Sequence, residues 1–312
     1  MPYTQLHSAQ TQADLATKYT NSDFVADFVC PMTATERKLV RFWQFQRADA
    51  NRLTDSRMAP DGLPNRRSFS ASSTTAEVEP YGLHDTIPVS DLEDPEPGID
   101  LEADTIEDLA HDLLLGHEKR VADLIMAAGS YGSSNKVTLG TAWTNTTSST
   151  PIADIQTGKR ACAVAPNVAV CDEVTFDALA RHPDIISTLR GTAGAQRGLA
   201  SAAEIAQYFG LENLYVGKVK YNSANPTATA SYSYIWPQGK FLLAKVVAQP
   251  RSREVTLART YRRRSDMGNT MNVFTEVQGA PGTKGVLYVK VSMEELVAMV
   301  ASDVGYLISG AA

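Results

Sequence analysis

Between Asp104 and Gly129, apolar residues recur every three or four positions: Ile106, Leu109, Ala110, Leu113, Leu114, Val121, Leu124 and Ile125. That spacing lines one face of an α-helix. Asp104, with Glu107 three residues on, reads as an N-cap and capping box. Acids fill the first turns and Lys119 and Arg120 come later, as the helix dipole prefers, and Gly129 reads as the stop. The pattern predicts a helix over 105–128, about 36 Å long, well beyond the average globular helix. A chain built on such a rod must supply a broad apolar surface to cover it.

The segment before this helix cannot supply that surface. Residues 36–92 hold strand-like runs, Leu39–Phe45 and the Ser/Thr-rich 68–78, around a turn at Pro60-Asp61-Gly62. This reads as a long two-stranded excursion, too polar for a core of its own. Isolated hairpins are marginal in water, so it needs another surface to lie on, most simply a neighbouring copy. Residues 1–35 read as an arm with little periodicity.

Charge is segregated in the same way. No Lys or Arg occurs from Ser68 to Glu118, which carries 14 acids; the net charge is −6, so the remainder holds +8. Basic residues gather in 36–67 (among them Arg52, Arg57, Arg66 and Arg67) and in Arg251–Arg264, where Arg251, Arg253, Arg259, Arg262, Arg263 and Arg264 face only Glu254. Opposed patches on one chain favour self-association. These arginines and the acids Asp91, Glu93, Asp94 and Glu96 are therefore the expected contacts between copies. The overall negative charge argues against bulk attraction to nucleic acid or an anionic membrane.

After a Gly/Ser/Thr/Asn connector (129–150) the pattern becomes α/β. Helices are expected over 152–165, 172–181 and 200–210, and strands over 167–171, 214–220, 232–236, 241–247, 253–262 and 286–291. The whole is an α+β chain of ordinary composition, 43% apolar and 21% charged, long enough to fold without disulfides or metal. No run of about 18 apolar residues suggests a membrane span, and Met1–Thr20 lacks the basic start and apolar run of a secretory signal. Cys30, Cys162 and Cys171, with no C-x-x-C, read as buried apolar residues of a reducing compartment.

No catalytic signature stands out. H-E-x-x-H, G-x-S-x-G, G-x-x-x-x-G-K-[ST] and G-x-G-x-x-G are all missing. His111 and His117 are six apart on the expected helix, the wrong spacing to share a metal. No cofactor or metal is expected, and the chain does not read as an enzyme.

Five pieces of sequence, in order, resemble one family. Tyr19, Asn21, Phe24, Val25, Ala26, Asp27 and Pro31 give Y-x-N-x-x-F-V-A-D-x-x-x-P. An acidic Pro-rich stretch leads into the long helix (Asp91 to Ala128). Trp143 and Pro151 precede Ile152. Pro166-Asn167 opens a strand leading to Phe176, Leu179, His182, Pro183 and Ile185. Ile235-Trp236 precedes the strand Phe241 to Val247. This order resembles tailed-phage major capsid proteins of the Hong Kong 97-type fold.

The resemblance implies an N-terminal arm (1–35), an extended β-hairpin loop (36–90), and a peripheral domain in two parts (91–149, with the spine helix at 105–128, and 239–312). It also implies an α/β axial domain (150–238) at capsomer centres. The function it implies is a shell of hexamers and pentamers around double-stranded DNA, assembled in the bacterial cytoplasm. The implied partners are other copies, a portal at one vertex, a decoration protein, and DNA touched without sequence preference. The arm motif begins about twenty residues from Met1, so the scaffold segment that some relatives carry at their N-terminus does not fit, and a separate scaffolding protein is implied. The competing readings are an encapsulin-type nanocompartment shell and, in another class, a small hydrolase with a Cys or Ser nucleophile.

Overall fold

The computed structural model describes residues 23–45, 53, 56–58, 62, 71–93, 100–191, 198–225, 227–249, 254–264, 269–279 and 284–312. Its elements in chain order begin with α1 (Ala26–Val29), β1 (Met32–Thr35), β2 (Leu39–Phe45), β3 (Ala71–Glu77), β4 (Glu79–Pro88), α2 (Val89–Glu93), α3 (Leu101–Ile125) and β5 (Lys136–Thr138). They continue with α4 (Pro151–Ala161), β6 (Val168–Asp172), α5 (Glu173–Ala180), α6 (Pro183–Arg190), α7 (Ala202–Tyr208), β7 (Asn213–Gly217), β8 (Lys220–Asn222) and β9 (Tyr232–Tyr234). The last are β10 (Lys240–Ala244), β11 (Ala258–Arg263), β12 (Met271–Gln278), β13 (Val286–Met299) and β14 (Gly305–Ser309).

The long helix is α3, and it starts a turn earlier than its sequence suggests. Asp100, not Asp104, is the N-cap: its carboxylate accepts from the Ala103 N–H, while the Asp104 N–H already bonds Asp100 O inside the helix. Leu101-Glu102-Ala103 are good helix formers, so the first of two capping aspartates wins. The helix ends at Ile125 with Met126 as C-cap, and Gly129 lies in the following 3₁₀ turn, Ala128–Ser130.

Two sheets flank the helix. In the first, the 14-residue β13 is the central strand. It pairs antiparallel with β4 along one edge and with β12 and then β11 along the other, and β1 adds parallel to β11. Alternation along β13 turns Leu287, Val289, Val291 and Met293 toward α3, where they meet Ile106, Leu109, Ala110, Leu113 and Leu114. This is the apolar surface the helix requires. Only Val286–Val291 of β13 is evident from the sequence, and β12, with its alternating Met271 and Val273, is not evident at all.

The second sheet runs β5-β14-β10-β6-β7, with β5 parallel to β14 and β6 parallel to β7. Helices α4 to α7 bury Ile155, Leu179, Ile185, Ile205 and Phe209 against it, around Trp143, Phe241 and Leu243. The sheet does not respect a division at residue 238. β10 and β14 pair with each other, and β10 pairs with β6, so 240–244 and 305–309 complete the α/β half. α6 was also unforeseen: His182 caps it and Pro183 opens it.

A third core joins the halves. Val25, Val29 and Cys30 of the arm meet Val121 and Ile125 of α3, Trp236, and Leu242 and Leu307 of the α/β sheet. Gly217 closes β7 here because nothing larger fits: an added Cβ would lie 2.1 Å from Trp236 Cδ1, and Trp236 is wholly buried. Gly217→Ala is expected to lower unfolding free energy by about 1–3 kcal/mol through overpacking, read from the urea midpoint at unchanged m-value.

The hairpin β2–β3 pairs in register from Leu39↔Glu77 to Phe45↔Ala71. Among the described residues it rests on the rest of the chain through Val40, Phe42 and Val78 against Tyr261 and Ala298. Its successor β4 belongs to the first sheet, so the excursion expected over 36–90 returns to the body at Glu79.

Candidate assembly interface

The arm is tied down by charged groups that α3 buries. Helical spacing carries the apolar face from Leu113 and Leu114 to Val121 and Ala122, and the positions between, His117 and Glu118, go inside with it. Glu118 accepts the backbone N–H groups of Val25 (3.0 Å) and Ala26 (2.9 Å) and the indole N–H of Trp236 (2.7 Å). Burial pushes its carboxyl above the usual range despite these three donors.

Glu295 of β13 is the centre of the network. Arg120 Nε donates to it at 2.7 Å and Arg262 Nε at 3.2 Å, and His117 Nδ1 lies 3.1 Å from Oε2. Burial alone would raise its carboxyl. The hydrogen bond and charge of His117 and the guanidiniums of Arg262 and Arg120 outweigh burial and hold it at about 2. The other ring nitrogen of His117 lies 3.3 Å from Asp27 Oδ1 on the arm.

This geometry corrects one expectation outright. Arg262 does not face a neighbour: it is 5% exposed and occupied by Glu295 of its own chain. Arg263 is half-exposed and paired at 3.0 Å with Glu294, and Glu93 pairs with Lys284. Arg259 is half-buried, hydrogen-bonded to Tyr261. Arg57, Asp91 and Arg264 lie at the surface or near it, Asp91 accepting from Ser90 Oγ at 3.1 Å. Arg52, Arg66, Arg67, Asp94, Glu96, Arg251 and Arg253 lie outside the described residues.

Large apolar groups stand out on several faces: Leu39 at the hairpin root (60% exposed), Phe274 (53%) and Val277 (63%) on β12, and Phe28 (55%) stacked on Tyr215. With Leu199 and Phe176, Phe28 and Tyr215 line a cleft of about 660 Å³ between arm and α/β sheet.

One arrangement resembles a nucleophile and base. Ser149 Oγ lies 3.0 Å from His182 Nε2, with Asp184 beyond. The proton is on the wrong side for that chemistry. The Asp184 backbone N–H donates to Nδ1, so Nε2 carries the ring proton and points it at Ser149, whose own hydroxyl donates to Asn145 O. His182 is fully buried as a helix cap. The thiols are no better placed: burial pushes Cys30 up to about 12 and Cys162 to about 11, far from a thiolate at neutral pH. Among the described residues no cluster of three His, Cys, Asp or Glu could hold a metal, and no helix is long and apolar enough to cross a membrane.

A long helix under a mainly antiparallel sheet, an α/β half beside it, a buried arm and a hairpin resting on the body only at its root together define a subunit of the Hong Kong 97-type capsid fold. A model of the family described as phage major capsid protein E matches residues 126–294, and the chain belongs to that family of structural shell proteins of the virion. A major capsid protein of Pseudomonas phage JBD67 is 27% identical over 240 residues, covering 76% of this chain and 77% of that one. Among solved structures, a phage-related protein from Bordetella bronchiseptica superposes with a TM-score of 0.74 at 22% identity, over 97% of this chain and 96% of that one. The capsid of cyanophage P-SCSP1u superposes at 0.55 with 11% identity, over 90% and 86%.

Proposed function

We propose that copies of this chain form hexamers and pentamers of an icosahedral shell around the double-stranded DNA of a tailed phage, assembled in the host cytoplasm. The α/β half, including β10 and β14, lies at the capsomer axis, and the α3–β13 layer lies at the periphery. A separate scaffolding protein directs assembly, a portal fills one vertex, and a decoration protein and the packaged DNA are further partners, the DNA contacted without sequence preference. The subunit has a structural role and no catalytic one. The observation that carries this reading is the match to the capsid family from the end of the long helix through most of β13. It favours this reading over the nanocompartment and hydrolase readings.

Contacts between copies use the hairpin and those charges left at the surface, such as Arg57, Arg264 and Asp91, together with their counterparts outside the described residues. Trypsin gives the test, because Arg57, Arg66 and Arg67 flank the turn at 60–65. Cleavage there is expected to be fast in unassembled protein and slow in shells. Equal rates in both would contradict a hairpin held by its neighbour.

A further inference from the structure

His117 has a requirement that its neutral form cannot meet. Both ring nitrogens face carboxylates, Nδ1 toward Glu295 at 3.1 Å and Nε2 toward Asp27 at 3.3 Å. A carboxylate only accepts, and a neutral imidazole has one N–H, so only the imidazolium offers a proton to each side. The charge count around the ring agrees. Glu118, Glu295 and Asp27 bring three negative charges, while Arg120 and Arg262 bring two positive charges; a charged His117 balances the cluster. His117 and Glu295 are both buried, which makes an imbalance expensive.

The ring also sits where the arm enters the fold. Asp27 is in α1, between Ala26, whose N–H is held by Glu118, and Val29 and Cys30, which fill the third core. Two residues further on, β1 begins its parallel pairing with β11, beside Arg262.

We propose that His117 is a proton-operated latch for the N-terminal arm: as imidazolium it bridges Asp27 to Glu295 and holds residues 23–30 on the spine helix, and loss of its proton releases them. The proposal stands on the fold of the single chain and does not depend on how copies assemble.

The pH window follows from the groups that face the ring. On α1 this is Asp27, on α3 Glu118, on β11 Arg262 and on β13 Glu295; Arg120 of α3 shares Glu295 with the ring, and Tyr81 of β4 lies against Arg120. Burial by itself would lower His117, but the carboxylates of Asp27 and Glu295 outweigh it and raise it above 6.5. A raised folded value means that its contribution is complete below pH 6.5 and is lost as pH rises through that value. Asp27 and Glu295 are lowered, so theirs are present above 3.8 and 4.5 and fail only in acid. Cys30, at about 12, and Tyr81, raised above 10, stay silent across the range. Glu118 is raised and can add a slope of its own on the acid side.

Hydrogen exchange of the unassembled full-length chain tests the latch, with amides of 23–30 followed from pH 6 to 9.5 and corrected for intrinsic rates. Each unit by which the bridge raises His117 is worth about tenfold in opening of the arm. Wild-type protection is expected to fall as pH rises across that range, while amides of 106–116 in α3 stay protected. In His117→Gln, which leaves Glu118 in place, arm protection is expected to be low and nearly flat with pH. Asp27→Asn removes the partner at its exposed end, is the milder change for folding, and should show the same flattening. A wild-type profile flat to pH 9.5, or a fall of the same size in Asp27→Asn, would overturn the proposal.

Discussion

Glu295→Ala should cost about 3–5 kcal/mol of unfolding free energy, the usual consequence of removing one partner from a buried ion network. The loss is large because three groups depend on this one carboxylate. Arg262, 5% exposed, and His117, 2% exposed, would lose their buried counter-charge and keep the more exposed Asp27 nearby, and Arg120 would lose both its contacts to Glu295. Net stability of a protein this size is on the order of 5–15 kcal/mol, so the variant should be close to unfolded in moderate urea. Lys119–Asp123 provides the control on the same helix. It is an exposed i,i+4 pair, and Asp123→Ala should change stability by no more than about 0.5 kcal/mol. Acid should reproduce the effect without mutation. The Glu295 carboxyl is held at about 2, so its contribution is complete above pH 4.5 and is lost as pH falls toward 2. Similar urea midpoints for the two alanine variants would show that Glu295 is not the centre of the junction.

The second large effect concerns assembly. Replacing residues 46–70 with an Asn-Gly turn should abolish shells and leave the monomer folded. Phe45 and Ala71 are register partners, so a two-residue type I′ turn can join them. The three main cores around α3, Trp236 and Trp143 draw nothing from that segment among the described residues, so helical circular dichroism and the urea midpoint should match wild type. Shells formed at normal yield by the shortened chain would mean that the excursion is not the grip between copies.

How much of this was legible in the sequence depended on the range of the interaction. The spine helix was legible because a 3.6-residue period is a local signal, and its start shifted only because Asp100 caps as well as Asp104 does. β14 was hidden because Leu296–Ile308 is an apolar segment whose break at Ser302-Asp303 does not by itself mark a strand boundary; it contains the end of β13, a 3₁₀ turn at Ser302–Val304 and then β14. The α/β order after residue 150 was readable, but the return of β10 and β14 to the α/β sheet depends on pairings across many residues. The junction left little local trace, since Glu118 holds Val25 from 93 positions away. One hint was present: His117 and Glu118 occupy the apolar face of a helix between Leu114 and Val121. Charge segregation suggested contacts but not their owners. Arg262 and Arg263 find Glu295 and Glu294 in their own chain, and a charge count cannot tell an internal pair from one between copies.

The central claim is that this chain builds a closed shell, and electron microscopy of particles purified from host cells carrying the complete virus tests it most directly, with mass spectrometry to identify their main component. The account predicts closed shells of uniform diameter, of megadalton mass, composed chiefly of this 33.8 kDa chain. Finding the chain only as soluble monomers or dimers, with the shells made of another protein, would contradict it.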